Sequence, residues 1–409
     1  MRVFFWQDTG VVRPSVRDRR FGLLVVGEGV NSVGGWASAV VLWGFSAYRF
    51  GAGADAVAVT IVCWAAPPAL LSPLLGVYVD RVGPRAALVA GYCGAAGAAL
   101  GMAAAGSLAE LDVAAVGYGI ARALAGPAAS ALPPRIVSED DLLAANALLG
   151  AASQVGQVAG PLAASAALAL SGFSAAFIMD AASYLVGAAA VAPLPLRPVP
   201  GAQERQGWRR ELAEGIGLVV RVRAVRRVVA LSVAVAFTSA SFLVVEPLYA
   251  RHVLHRPPSQ FALFEAAAGT GAFLTGLVIS RARPGGGKIL AASAVGYGLA
   301  AALFTGTTSV PVAYVGAFMW GVAGTVFGAL ALTTIQQVAP VRAHGRVMGV
   351  SATIQSWVET IGLPLGGVTL AALGVRAGAL ALAGIALTAG LIALGTVSLP
   401  GMRTTAPSG

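Results

Sequence analysis

Five ionisable residues, Glu28, Arg122, Asp180, Glu246 and Glu359, stand inside stretches that otherwise carry almost no charge. A charge held in an apolar membrane span costs at least about 2.5–3.5 kcal/mol on the insertion scale, so each needs a partner or a wet cavity. A carboxyl in such a place can gain and lose a proton as its surroundings change, because desolvation disfavours its charged form and a nearby cation favours it. The chemistry within reach is proton exchange and the binding of a polar or charged solute. Arg122 and Glu359 fall near the middle of their stretches and Glu28 about two turns in. Asp180 and Glu246 fall towards the ends, where an interfacial or gating contact is the competing reading.

Helical spacing gathers further polar residues around these charges. Glu28, Asn31, Ser32 and Gly35 share one stripe, with Trp36 beside it; Asn146, Gly150, Ser153, Gln154, Gln157 and Pro161 share a second; Ser351, Gln355, Glu359 and Gly362 share a third. Together they predict a shared aqueous path. For Gln154, Gln157 and Gln355 the alternative is interhelical hydrogen bonding, worth about 0.6 kcal/mol on average.

Bond-making chemistry finds no support in the sequence. Only three histidines occur, and no Ser/His/Asp arrangement can be recognised. His252-x-x-His255 has no neighbouring acid and reads as a loop pair rather than a metal site. Gly285-Gly-Gly-Lys288 lacks the four-residue spacer of a phosphate-binding loop. The expectation is therefore no catalytic residue, no metal, no cofactor other than a proton gradient as energy source, and no enzyme.

The elements that must position these residues are membrane helices. Hydrophobic residues make up 57% of the 409 and charged residues 11%, with a mean hydropathy of +0.80. A soluble domain would carry about 25% charge. Cys63 and Cys93 both lie in apolar runs and read as small hydrophobes. The basic segment Met1 to Arg20 lacks the short apolar core and cleavage site of a signal peptide, so the first span is expected to remain.

A span needs about 20 mostly apolar residues. Segmentation predicts twelve, over 21–47, 55–79, 86–107, 110–132, 143–170, 174–193, 228–250, 260–281, 288–306, 311–335, 347–372 and 376–398. With both termini on one side, 22 of the 27 basic residues fall on that side, Arg122 lies in a span, and Arg49, Arg251, Arg256 and Arg376 lie opposite. The excess marks the cytoplasmic side, so both termini are expected in the cytoplasm and the bilayer accounts for the +10 charge without nucleic acid. The longest hydrophilic stretch divides the chain into a six-helix unit over 1–193, a linker over 194–227 with an amphipathic helix near Trp208, and a second six-helix unit over 228–409.

Between the second and third spans lies a charged turn, Gly76-Val-Tyr-Val-Asp80-Arg81-Val-Gly83-Pro84-Arg85. It aligns at a shift of 200 with Gly276-Leu-Val-Ile-Ser280-Arg281-Ala, and Gly156-Gln-Val-Ala-Gly160-Pro161 aligns at a shift of 203 with Glu359-Thr-Ile-Gly-Leu363-Pro364. Two repeated bundles with a site at the midplane between them is a transporter plan.

These residues resemble the major facilitator superfamily over essentially the whole chain. Gly76, Asp80, Arg81, Gly83 and Arg85 fit its signature between helices two and three. Arg122-Ala-Leu-Ala-Gly126 resembles its second motif, whose arginine the family associates with proton coupling. Gly156-x-x-x-Gly160-Pro161 resembles the motif of drug/proton antiporters, with Ala164-Ser165 in place of the trailing Gly-Gly. The stretch from Leu132-Pro-Pro-Arg135 to Gly160-Pro161, with Gly345-Arg-Val-Met-Gly349, looks like the exporter branch that includes the enterobactin exporter and macrolide efflux proteins.

The resemblance implies an all-α polytopic fold of twelve helices in two pseudo-symmetric six-helix bundles, acting as a monomer in the cytoplasmic membrane. It implies proton-driven export of a small amphiphilic molecule (a drug, antibiotic or siderophore-like metabolite) by alternating access. Glu28, Asn31, Arg122, Gln154, Gln157, Gln355 and Glu359 would form the proton or substrate site, with Glu359 or Glu28 carrying the proton. Asp80 and Arg81 would act as a latch favouring the outward-open state, mainly in the first half because Ser280 lacks the charge. The competing functions are a proton symporter for uptake and a non-transporting scaffold or sensor.

Overall fold

The computed structural model describes residues 19–138, 141–194, 216–279, 287–338 and 344–396. All regular structure among them is helical. Twelve long helices follow one another: α1 (Arg19–Arg49), α2 (Ala54–Val82), α3 (Pro84–Ala104), α4 (Leu108–Ser130), α5 (Leu142–Leu170), α6 (Phe173–Val191), α7 (Arg223–His252), α8 (Pro258–Ile279), α9 (Gly287–Gly306), α10 (Val310–Val338), α11 (His344–Leu373) and α12 (Val375–Thr396). A single helical turn, Pro133–Ile136, sits between α4 and α5. The basic N-terminal segment, the linker helix near Trp208, the second charged turn from Ser280 to Arg283, and Arg342 lie outside the described residues.

Nine of the twelve contain a stretch long and apolar enough to cross a membrane. The other three, α1, α4 and α5, are equally long, but Glu28 and Asn31, Asp112 and Arg122, and Gln154 and Gln157 lower their hydropathy. Of these polar residues Glu28, Asn31 and Arg122 face the space between the bundles. Large apolar residues such as Val113, Leu170 and Ile392 point outward, more than 60% exposed, as a lipid-facing surface requires.

Helix ends are set by local chemistry. Ser107 caps α4 by accepting from the Glu110 amide at 3.3 Å, while the Glu110 carboxylate accepts from the Gly106 amide at 2.9 Å. This is a capping box displaced by one residue. The charged segment from Gly76 to Arg85 corrects the expected ten-residue turn, because α2 continues through Val82 and α3 starts at Pro84. Only Gly83 breaks the helix, at φ +89, a conformation that glycine adopts without steric cost.

The two halves repeat the same packing. In the first, α1 packs on α5 and α6, α3 on α4 and α6, and α2 on α4; in the second, α7 packs on α11 and α12, α9 on α10 and α12, and α8 on α10. The joints between the bundles obey the same symmetry, α2 against α11 and α5 against α8.

One continuous apolar core fills the first bundle and crosses into the second near the α1–α2 and α7–α8 turns, through Phe45, Phe242, Tyr249 and Phe261. A separate core around Val225, Leu290, Phe327 and Val347 fills the other end of the second bundle. Two hydrogen bonds between the bundles lie at the first of these ends. Tyr48 donates to the Arg256 carbonyl at 3.0 Å, and Arg251 donates to the Ala47 carbonyl. The bundles are thus sealed at the face of the α1–α2 turn.

Candidate functional site

A cavity of about 650 Å³ occupies the space between the bundles. Its wall comes mostly from the first bundle: Glu28, Asn31, Ser32, Trp36 and Trp43 of α1, Trp64 and Ser72 of α2, Tyr92 of α3, Tyr118 and Arg122 of α4, and Tyr184 of α6. The second bundle adds Ser239 and Leu243 of α7 with Glu359 and Leu363 of α11. Aromatic faces and a few placed charges suit a solute with an apolar body and a polar or charged group.

The polar residues of the first bundle form a connected set. The Tyr118 hydroxyl donates to Asp180 at 2.8 Å and meets the Tyr184 hydroxyl at 3.2 Å. Asp180 is fully buried, so the sequence-based interfacial reading is wrong for it: it faces the bundle core, near enough to Arg122 for charge attraction. The Arg122 guanidinium lies 4.5 Å from the Trp64 ring centroid, a cation–π contact inside the cavity. Glu28 lies beside Tyr92, whose ring meets that of Tyr184 at 56° with centroids 5.4 Å apart. Glu359 faces the same space from the opposite bundle.

Gly156 and Gly160 let α5 touch α1. A methyl at Gly156 would overlap Ser32, and one at Gly160 would overlap Trp36. The close approach lets the Ser32 hydroxyl donate to the Ser153 carbonyl at 2.7 Å. The motif thus fixes where Trp36 stands, and Pro161, one residue on, lines a second space.

That second space, about 260 Å³, lies beyond Trp36 and Ser239, which line both cavities. Gln157, Pro161, Glu265, Tyr297, Trp320 and Thr325 complete its wall. Behind it Glu246, only 2% exposed, lies near Glu265. Glu246 too is a core residue rather than a rim residue.

Of the expected site residues, Glu28, Asn31, Arg122 and Glu359 meet in the central cavity. Gln157 lines the side chamber and accepts no part in the central one; its amide donates to the Gln154 carbonyl oxygen at 2.8 Å. Neither Gln154 nor Gln355 lines either space, so the expected single path is two chambers. In the charged segment, Arg81 and Arg85 are exposed and Arg85 donates to the Leu194 carbonyl at 3.1 Å; the Asp80 side chain lies outside what is described. Gly76 packs near Pro127 of α4.

Sequence reasoning missed Glu265 and the tyrosines. Glu265 satisfies the same criterion as the five charges, an acid in an otherwise apolar span. Tyr92, Tyr118 and Tyr184 carry no distinguishing signal, since a tyrosine in a membrane helix more often packs against lipid or neighbours.

A fold of this kind, with a site between two symmetry-related bundles, is that of a secondary transporter. The sequence model for the Major Facilitator Superfamily matches residues 24–359, and the chain belongs to that family. Among solved structures it is similar to the nucleoside transporter NupG, at 12% identity and a TM-score of 0.75 over 92% of this chain and 99% of that one. It is also similar to a bacterial homologue of the human lysosomal transporter Spinster in an inward-facing, unoccupied conformation, at 14% identity and 0.74 over 92% and 97%. A POT family transporter in complex with a thioalcohol-conjugated peptide gives 14% identity and 0.73 over 94% and 98%. No curated protein matches the sequence.

Proposed function

We propose that this transporter exports a small amphiphilic organic molecule from the cytoplasm in exchange for protons, as a monomer in the cytoplasmic membrane with both termini inside. The observation that carries this reading is the cavity wall, where Glu28 and Glu359 face one space from opposite bundles and Arg122 is engaged with Trp64 and drawn to Asp180. Two acids remain for a solute, so its polar end is cationic and its body rests on Trp36, Trp43 and Trp64. The wall of the space reaches Gly126 and Ala129, near the end of α4 on the side of the α2–α3 turn and of most basic residues, which fits a state that receives solute from the cytoplasm.

The experiment uses inside-out vesicles holding the full-length protein, an imposed proton gradient with acid inside, and ethidium together with a panel of macrolides and siderophores. Export predicts that a substrate enters the vesicles as protons leave. Movement of substrate and protons in the same direction would instead establish symport, and vesicles indifferent to the whole panel would remove the drug-like substrate class.

A further inference from the structure

Where α7 and α9 begin and α12 finishes, a groove of about 290 Å³ is left between the three helices. Its wall is small and apolar, with Ala224 and Ala230 from α7, Gly287 and Ala291 from α9, and Ala389 and Ala393 from α12. Ile392, 62% exposed, stands at its rim, so the groove opens on the surface that faces lipid. Along α7 the wall runs from Ala224 to Leu231, about 10 Å at 1.5 Å per residue, against about 15 Å for the hydrocarbon of one leaflet. The charged residue in the wall is Arg227, which is exposed. Arg223, one turn earlier on the same face of α7, and Lys288, beside Gly287 at the start of α9, are exposed at the same end. Among the described residues these three cations have neither an acid nor a hydrogen-bond acceptor, whereas the neighbouring Arg226 donates to the Val220 carbonyl at 2.9 Å. The acid that α7, α9 and α12 do contain, Glu246, lies towards the other end of α7.

The first bundle closes the same end with its own side chains. There α1, α3 and α6 stand where α7, α9 and α12 stand in the second. Phe21, Leu24, Leu88, Val191 and Leu194 are all buried, and Arg85 is engaged with the Leu194 carbonyl at 3.1 Å. The second bundle puts alanine and glycine in that place and leaves its cations without a partner among the described residues. An apolar slot with unopposed cations at its mouth matches a molecule that carries an acyl chain and an anion together. Basic pockets between membrane helices attract anionic headgroups, and the planar fork of arginine fits phosphate oxygens. We infer that the groove between α7, α9 and α12 binds an anionic phospholipid of the adjoining leaflet. One acyl chain lies along α7 and α12, and Arg227 holds the phosphate with Arg223 and Lys288 beside it. The lipid completes the apolar core around Val225 and Leu290, as Phe21 does in the first bundle. The groove shares no residue with either chamber, so the site depends neither on the solute nor on the direction of transport.

The test is native mass spectrometry and thermal unfolding of the full-length protein in detergent, with dioleoyl phosphatidylglycerol, dioleoyl phosphatidylcholine or glycerol 3-phosphate added. Phosphatidylglycerol should be retained more strongly than phosphatidylcholine and should raise the melting temperature. Arg227→Gln should lower that retention by about fivefold, the worth of one basic residue near an anionic surface. Arg226→Gln, whose guanidinium is engaged elsewhere, should keep it, and Ala230→Phe, which fills the groove, should lose it. Equal retention of the two lipids, or undiminished retention of phosphatidylglycerol in either Arg227→Gln or Ala230→Phe, overturns the site. Equal protection by glycerol 3-phosphate would make it a phosphate site, and retention seen only in a variant ending at Thr396 would mean that the chain's own last residues take the groove. Either outcome overturns the lipid.

Discussion

Asp180 accepts a hydrogen bond from Tyr118 at 2.8 Å where neither residue is reached by solvent, tying α6 to α4 across α3. Arg122, one turn further along α4, supplies positive charge to that acid. In the second bundle the buried Glu246 and its neighbour Glu265 have no cation beside them among the described residues. The bundles repeat each other in packing and differ in how they neutralise buried charge.

Tyr118→Phe is expected to lower stability by about 1.5–3 kcal/mol, the range for hydrogen bonds to charged groups. Tyr184→Phe loses only the longer contact at 3.2 Å and should cost about 0.5–1.5 kcal/mol. Thermal unfolding of the two variants in detergent gives the order; equal losses would mean that Tyr184 matters as much to Asp180 as Tyr118 does.

Gly156→Ala and Gly160→Ala place a methyl inside Ser32 and Trp36, and overpacking of this kind costs about 1–3 kcal/mol. Gly150→Ala, on the same helix, meets nothing within 4 Å and should be neutral or gain up to about 1 kcal/mol from helix propensity. Melting temperatures of the three variants check the contrast, and a comparable fall for Gly150→Ala would show that glycine serves α5 by some means other than contact with α1.

At the joint of α2 and α11, a Cβ on Gly367 would come within 2.9 Å of the Ala58 Cβ, so the helices need part by only about 1 Å to reach the separation of about 3.8 Å that a disulfide needs. With Cys63 and Cys93 replaced, Ala58→Cys combined with Gly367→Cys should cross-link on oxidation. Transport by the cross-linked protein should stop and return on reduction, since the sealed face could no longer part. Full transport by oxidised, fully cross-linked protein would show that this joint stays closed throughout the cycle.

Arg122→Lys keeps the charge but loses the planar group that stacks on Trp64. A cation–π contact in a desolvated setting is worth about 0.5–2 kcal/mol, so transport should fall by roughly 2- to 30-fold, with Trp64→Leu giving a similar loss. Initial rates for both and for the double variant measure the coupling; strictly additive losses would separate the roles of the two residues.

Much of the fold was legible because length and hydropathy dictate it: twelve apolar stretches follow from composition and spacing, and the two halves repeat one packing pattern. Ends were less legible, as at Gly76 to Arg85, where charges look like a turn but α2 keeps its hydrogen bonds to Val82 and only Gly83 departs. For the site, isolated charges were a sound signal, placing Glu28, Arg122 and Glu359 in the cavity. Distance from a span's end was a poor guide to Asp180 and Glu246, because closeness to a helix end says nothing about which side of the helix a residue occupies. The side chamber could not be read at all, since it exists only where α5 of one bundle meets α8 of the other.

Both hydrogen bonds that fasten the sealed face, Tyr48 to Arg256 and Arg251 to Ala47, end on main-chain carbonyls. A peptide oxygen has no titration near neutrality, and a replacement at either acceptor position leaves it in place. The fastening itself is therefore deaf to acidity, and to most mutations at the positions that accept it. A local response to acidity would have to come from a neighbour such as His252, which stands near enough to Arg251 to feel its charge.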